Sequence, residues 1–175
     1  MKRFLRCGLL AIVLNAVFAI AGPHAERAIY TLRLSAMPVP QAYHLPVDGI
    51  RPAVLRDSWH APRDGGRRRH EGIDIFAPRG TVIRSTTEGM VLRTGHGGLG
   101  GRTVWIRGPG GHNHYYAHMD RFAGLVPGMR IAAGTVIGYV GDSGNAKGTP
   151  PHLHYGIYSA AGPINPYPLL KPAAA

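Results

Sequence analysis

The segment His152-Leu153-His154-Tyr155-Gly156-Ile157-Tyr158 has the length of a β-strand and carries two histidines separated by one residue. Successive side chains of an extended chain point to opposite faces, so residues two apart share a face in a strand but not in a helix. The spacing therefore predicts a β-strand that presents both imidazoles to one cleft.

Short apolar runs of the same kind, separated by glycine and proline, fill the chain from Asp57 onward. They are Gly80–Ser85, Gly89–Arg93, Arg102–Arg107, Asn113–His118, Arg130–Ala133 and Thr135–Val140. Such runs, rich in β-branched and aromatic residues and flanked by turn-forming residues, are typical of antiparallel sheets. Beyond the N-terminal segment, no run of ten or more residues has a clear 3.6-residue apolar period. We predict an all-β fold, a small antiparallel β-sheet or open barrel with low helix content.

The N-terminal segment has the pattern of an export signal. Three basic residues among the first six precede an apolar run over residues 8–20, which ends in the small residues Ala19 and Ala21. This pattern predicts a secretory signal peptide over residues 1–21. An uncleaved anchor is the alternative, although the run falls short of the roughly 20 residues that span a bilayer. The single cysteine, Cys7, would leave with the signal, so a metal ion on the exported chain needs histidine and carboxylate ligands.

The rest of the chain is expected to form one domain with short flanks, since about 150 residues suffice for one core. Residues 22–56 are expected to be a lead-in, with a short strand in Glu26–Leu34 followed by a Pro-rich stretch. Residues 57–168 are expected to form the domain, and residues 169–175 a C-terminal tail.

The net charge of the chain indicates which classes of binding partner to expect. The formal net charge is +11, and removal of the signal with its three basic residues leaves +8. A basic exported chain favours a polyanionic partner, such as a cell-wall polymer or an anionic membrane surface. No helix-turn-helix pattern, zinc-finger cysteine pair or repeated basic-aromatic platform is present, so we expect no nucleic-acid partner. We also expect no stable membrane span after signal cleavage.

Two histidine-bearing segments supply a set of metal ligands. His70 and Asp74 flank Gly72 and Ile73, which disfavour a regular helix, so we expect this segment to be extended or looped. Together with His154 they offer two imidazole nitrogens and one carboxylate oxygen, and tetrahedral zinc would keep one open position. Zinc in such a site activates water for attack on an amide carbonyl. The set predicts one Zn²⁺ ion in a groove and peptide hydrolysis as the reaction.

Two further histidines are candidates for catalysis, because imidazole titrates near neutral pH. They are His118 and His152. On a regular strand, His114 and Tyr116 share the face of His118, so these two are candidates for the groove wall or for contact with the metal ligands. A solvent-facing edge position is the alternative for His114.

Three sequence blocks together resemble the signature of the lysostaphin/LytM-type zinc metalloendopeptidases. The blocks are His70-x-Gly-x-Asp74, Tyr116-Ala117-His118 and Pro151-His152-Leu153-His154-Tyr155, in that order. The resemblance implies an antiparallel β fold with an open groove that cleaves stem or cross-bridge peptides of bacterial peptidoglycan. It implies that His70, Asp74 and His154 hold zinc and that His118 and His152 act on the water and the tetrahedral intermediate. Which of these two is the base stays open, and we favour His152.

The function expected from this resemblance is an exported zinc metalloendopeptidase of peptidoglycan. A non-catalytic module of the same fold, which binds wall or activates a partner hydrolase, is the alternative. Because the ligand set and both catalytic candidates are all present, the enzyme is favoured. We expect a monomer located in the periplasm, with secretion as the alternative, and the bond that is cleaved stays open.

Two neighbouring motifs carry weaker hypotheses. Arg67, Arg68 and Arg69 precede the first predicted ligand and are candidates for steering an anionic wall peptide, with a solvated basic loop as the alternative. The sequence Asp142-Ser143-Gly144-Asn145 is typical of a turn and offers no base for a nucleophilic serine.

Overall fold

The computed structural model describes residues 21–171. The signal peptide predicted over residues 1–21 thus lies outside the described residues except for Ala21, as does most of the tail predicted over residues 169–175. The boundary between two compact units falls between Arg33 and Leu34.

The prediction of a strand in Glu26–Leu34 is wrong, because residues 21–36 are helical (α1). This segment is dominated by alanine, leucine, arginine and glutamate, which favour helices. A partial alternation over nine residues does not separate a period of 2 from a period of 3.6. Across residues 21–171, no helix combines the length and the apolar character that crossing a membrane requires.

The second unit contains the described strands and several short helical turns. The strands are β1 (Pro62–Arg63), β2 (Arg68–Arg69), β3 (Ile73–Phe76), β4 (Val82–Arg84), β5 (Gly89–Gly95), β6 (Thr103–Arg107), β7 (Asn113–Ala117), β8 (Met119–Phe122), β9 (Arg130–Ile131), β10 (Val136–Val140), β11 (His152–Ser159) and β12 (Gly162–Ile164). The helical elements are 3₁₀ turns at Pro52–Val54, Asp64–Gly66, Pro109–Gly111 and Gly144–Ala146, and the helix α2 (Tyr167–Leu170).

The described strands form three antiparallel sheets. The largest has the order β12-β11-β7-β6-β5-β9, and β3 pairs with β11. A three-stranded sheet has the order β4-β10-β8, and β1 and β2 form a hairpin. The order of the largest sheet does not close into a barrel. The prediction of an all-β, antiparallel and open fold with low helix content is confirmed.

Strand β11 organises the site because it pairs with β3, β7 and β12. Its side chains alternate as the sequence predicts. Leu153, Tyr155 and Ile157 are fully buried in the core cluster, where each large apolar side chain contributes roughly 1.5–3 kcal/mol. His152 and His154 point to the other face, where a groove lies.

Candidate metal centre and groove

Strand register brings the three predicted ligands together. Asp74 on β3 lies directly opposite His154 on β11, and His70 precedes β3 by three residues. Asp74 Oδ1 lies 3.0 Å from His70 Nε2 and 3.2 Å from His154 Nδ1, and the two nitrogens are 2.8 Å apart. Among the described residues, these three form a group that could hold a metal ion, and their ligand atoms lie within 4.8 Å of one another.

The donor set fits zinc. Tetrahedral zinc with bonds of roughly 2.0–2.2 Å holds its ligand atoms about 3.3–3.6 Å apart, so a shift of a few tenths of an ångström in these side chains would admit the ion. His70 Nδ1 donates to the Ser58 carbonyl at 2.8 Å, so the lone pair is on Nε2, the nitrogen that faces the cluster. A second hydrogen bond of this kind commonly sets the tautomer of a metal-binding histidine.

The carboxylate of Asp74 is held in its charged form. Burial by itself would raise the pKa of Asp74, but the adjacent imidazole rings of His154 and His70 bring it well below its usual range. Its outer oxygen, Oδ2, accepts a hydrogen bond from Arg63 Nη2 at 2.7 Å. Its backbone N–H donates to Ser58 Oγ at 3.1 Å. The inner oxygen is thus left to face the two histidines.

Gly72 allows the His154 ring to lie against the chain between the other two ligands. An ideal Cβ on Gly72 would lie 2.5 Å from the Tyr155 carbonyl oxygen and 2.8 Å from Cε1 of His154. Real Cβ atoms do not approach backbone so closely, so only glycine fits this position without displacement of β11. The glycine of the first sequence block is therefore required by packing against the third block.

His118 and His152 lie beside this cluster, and their ring centroids are 5.0 Å apart. His118 Nδ1 donates to the Ser143 carbonyl at 2.8 Å, and His152 Nδ1 donates to the Pro150 carbonyl at 2.9 Å. Each ring therefore keeps Nε2 as a proton acceptor. Burial lowers the pKa of His118 to about 4, with a further contribution from His154 and His152 and against a hydrogen bond to Ser143, so this imidazole is neutral at neutral pH.

The shared face predicted for His114, Tyr116 and His118 is wrong. His114 and Tyr116 are fully buried on the core side of β7, whereas Tyr115 and Ala117 line the groove. His118 follows the end of β7 with a φ of +62°, which turns its side chain into the groove. A left-handed backbone at a residue other than glycine costs on the order of 1–3 kcal/mol and needs support from its surroundings.

Of the three arginines predicted to steer a substrate, two line the groove and one does not. Arg68 and Arg69 line the groove, as does Arg63, whereas Arg67 does not. Arg68 forms an exposed ion pair with Asp64. The groove also has an apolar rim, because Phe76 and Leu99 line it while about half exposed.

The residues that orient the site were not predicted from the sequence. Ser58 contacts both His70 and Asp74, Arg63 holds the outer oxygen of Asp74, and Ser143 holds His118. No local pattern marks Ser58 or Arg63. The turn around Ser143 was recognisable, but its contact with His118 bridges 25 residues.

A known family model matches the part of the chain that carries the cluster. The family model described as peptidase family M23 matches residues 68–166. This range contains the three converging residues and both neighbouring histidines. It lies inside the domain predicted over residues 57–168.

Two curated relatives align with part of the chain. The L-Ala–D-Glu endopeptidase of Bacillus subtilis (strain 168) is 43% identical over 127 residues, covering 66% of this chain and 39% of that protein. Lysostaphin of Staphylococcus simulans is 31% identical over 110 residues, covering 59% of this chain and 22% of that protein. The chain thus spans less than half the length of these relatives.

Solved structures share the architecture. Helicobacter pylori Csd3 aligns with a TM-score of 0.58 and 32% identity, covering 77% of this chain and 34% of that one. The catalytic domain of lysostaphin from Staphylococcus simulans aligns with a TM-score of 0.56 and 25% identity, covering 69% of this chain and 95% of that domain.

Proposed function

Because the chain belongs to peptidase family M23, we propose that it is an exported zinc metalloendopeptidase that hydrolyses peptide bonds of bacterial peptidoglycan, with its catalytic domain over residues 57–168. The observation that carries this proposal is the convergence of His70 Nε2, Asp74 Oδ1 and His154 Nδ1 in a groove. His118 and His152 line the same groove.

In this proposal His70, Asp74 and His154 hold the metal. Bound zinc would supply Lewis acidity and lower the pKa of a water molecule towards about 7. The charged carboxylate of Asp74 and the lone pair on His70 Nε2 suit a divalent cation. Arg63 and Ser58 keep these donors in place through the hydrogen bonds described above.

The two remaining histidines handle protons and developing charge. We assign proton acceptance from the attacking water to His152, through Nε2, and donation of that proton to the leaving amine. His118 acts on the tetrahedral intermediate, where its unprotonated Nε2 accepts a hydrogen bond from the hydroxyl that derives from the attacking water. The preference for His152 rests on its position two residues from His154 on the same strand face, which holds it at a nearly constant distance from the ligands.

Peptidoglycan peptides are the substrates that the relatives' names suggest, but those names differ in the bond. One relative is an L-Ala–D-Glu endopeptidase, another a glycyl-glycine endopeptidase from Staphylococcus capitis, and another a peptidoglycan DD-endopeptidase from Vibrio cholerae. The basic groove residues suit a wall peptide that carries carboxylates. We place the protein in the periplasm as a monomer, with secretion as the alternative.

The test is to incubate the zinc-loaded chain with purified peptidoglycan and to identify the released fragments by mass spectrometry. The His152→Ala variant is the control. New peptide termini that depend on His152 would establish the enzyme and name its bond. A folded, zinc-bound protein that releases no fragments would instead support the wall-binding or hydrolase-activating module.

A further inference from the structure

The backbone of His118 is held in its left-handed conformation by two loops. Its N–H donates to the Gly100 carbonyl at 2.9 Å, and its carbonyl accepts from the Ser143 N–H at 3.4 Å. Its ring Nδ1 donates to the Ser143 carbonyl at 2.8 Å. Both the backbone and the side chain of His118 therefore depend on the loop that contains Ser143.

The hydroxyl of Ser143 ties this loop to its surroundings. Ser143 Oγ donates to the Met119 carbonyl and accepts from the Arg102 N–H, each at 2.8 Å. Both hydrogen-bonding roles of the hydroxyl are thus used in binding backbone. Ser143 thus connects three backbone segments. This structural role agrees with the sequence around Ser143, which offers no base to activate the hydroxyl as a nucleophile.

The two loops that flank His118 touch backbone to backbone. An ideal Cβ on Gly101 would lie 2.3 Å from the Gly144 nitrogen, and one on Gly144 would lie 2.4 Å from the Gly101 nitrogen. The Asn145 N–H donates to the Leu99 carbonyl at 3.0 Å. The loops at 99–102 and 142–145 therefore pack against each other, and both contact His118, the residue that follows β7.

We propose that Ser143 is a positioning residue for His118: its carbonyl keeps the imidazole proton on Nδ1, and its hydroxyl holds that carbonyl in place. Nε2 is then the nitrogen that His118 presents to the groove. The effect on turnover rests on the proposed function, whereas the tautomer of His118 does not.

The test compares Ser143→Ala and Ser143→Thr in the full chain. Ser143→Ala should lower kcat roughly tenfold or more, the usual scale for loss of a group that orients a site residue, with KM and zinc content unchanged. Two-bond ¹H–¹⁵N spectra at neutral pH should show His118 protonated on Nδ1 in the unaltered protein and a mixture of tautomers in Ser143→Ala. Ser143→Thr, which retains the hydroxyl, should restore both readouts.

Ser159→Ala is the matched control. Ser159 Oγ also donates to a carbonyl, that of Gly162, and accepts a backbone N–H, that of Ala161, and it does not line the groove. This variant should change neither kcat nor the His118 spectrum.

Two results would overturn the proposal. One is a Ser143→Ala protein with unchanged kcat and a single His118 tautomer. The other is an unaltered protein with the His118 proton on Nε2, a result that holds even if the Ser143 variants do not fold. If the unaltered protein hydrolyses nothing, the proposed function fails, and the spectra still decide the role of Ser143.

Discussion

The two faces of the β7–β11 pair carry the same residue types in opposite environments. On the groove face, His152 and His154 each point a ring into a concave surface beside Tyr115. On the core face, His114 and Tyr155 are fully buried. Residues that alternate along two strands thus form a candidate reaction site on one side and a structural cluster on the other.

On the core face, the polar atoms bind one another. Thr86 Oγ1 lies 2.8 Å from Tyr116 OH and 2.9 Å from Tyr155 OH, and His114 Nδ1 lies 2.8 Å from Tyr155 OH. On the groove face, by contrast, His118 and His152 each use one nitrogen on a backbone carbonyl and keep the other free for chemistry. His114 also has one nitrogen held, but its Nε2 is buried and has no hydrogen-bond partner among the described residues. The comparison teaches that a histidine becomes a candidate for catalysis when one of its nitrogens is held and the ring also lines the groove.

The largest expected effect distinguishes a proposed metal ligand, His154, from a proposed catalytic residue, His152, on the groove face. His154→Ala should abolish both stoichiometric zinc and activity, because it removes one of three proposed ligands. His152→Ala should keep zinc and lose turnover. Metal analysis after gel filtration, together with the peptidoglycan assay, checks both variants. Equal loss of metal in the two would refute the assigned roles.

The next effect tests how closely the two sequence blocks pack. Gly72→Ala adds a Cβ that meets the Tyr155 carbonyl and the His154 ring, so we expect a loss of about 1–3 kcal/mol in the free energy of unfolding. Displacement of His154 should also weaken zinc binding. Urea denaturation and a zinc competition titration measure the two losses. Unchanged zinc affinity would show that His154 can shift without harm.

On the core face, we expect His114 to make the folded chain less stable at acidic pH. Burial, with a contribution from His112, lowers the pKa of His114 from its usual 6.5 to about 3. The groups that face it are Tyr43, Thr86 and Tyr155. Above about pH 6.5, His114 binds no proton in either the folded or the unfolded chain. Below that pH, His114 is protonated in the unfolded chain but not in the folded chain. The free energy of unfolding therefore falls until the pH reaches about 3.

The variant His114→Gln sharpens this prediction because glutamine does not titrate. Between pH 7 and about pH 5, the unaltered chain should lose about 2 kcal/mol more stability than the variant. Urea midpoints at the two pH values give the difference. Parallel losses in the two proteins would mean that His114 is protonated within the fold.

The smallest effect concerns the basic rim of the groove. Arg69 lines the groove and Arg67 does not, so Arg69→Gln should reduce the salt dependence of wall hydrolysis a few-fold more than Arg67→Gln. Exposed charges are screened beyond about 8 Å at physiological ionic strength, which keeps the effect small. Hydrolysis rates at low and high salt measure it, and identical profiles would support the solvated-loop alternative.

Much of the architecture was predictable from local patterns. The runs that became β5, β6, β7, β10 and β11 were recognisable from their length and composition, since strand alternation is a local property. The helix at residues 21–36 was missed because a partial alternation was interpreted as a strand. The face of His118 was missed because one positive φ at the end of β7 reverses the alternation, and a histidine gives no warning of this.

The sequence by itself determined the strand alternation that places His152 and His154 on one face, and the chemical set of two imidazoles and a carboxylate. Only the tertiary structure decided that Asp74 lies opposite His154, 80 residues away, and that Ser58, Arg63 and Ser143 orient the site. Backbone preferences act over a few residues, whereas register and orienting contacts depend on packing across the whole domain.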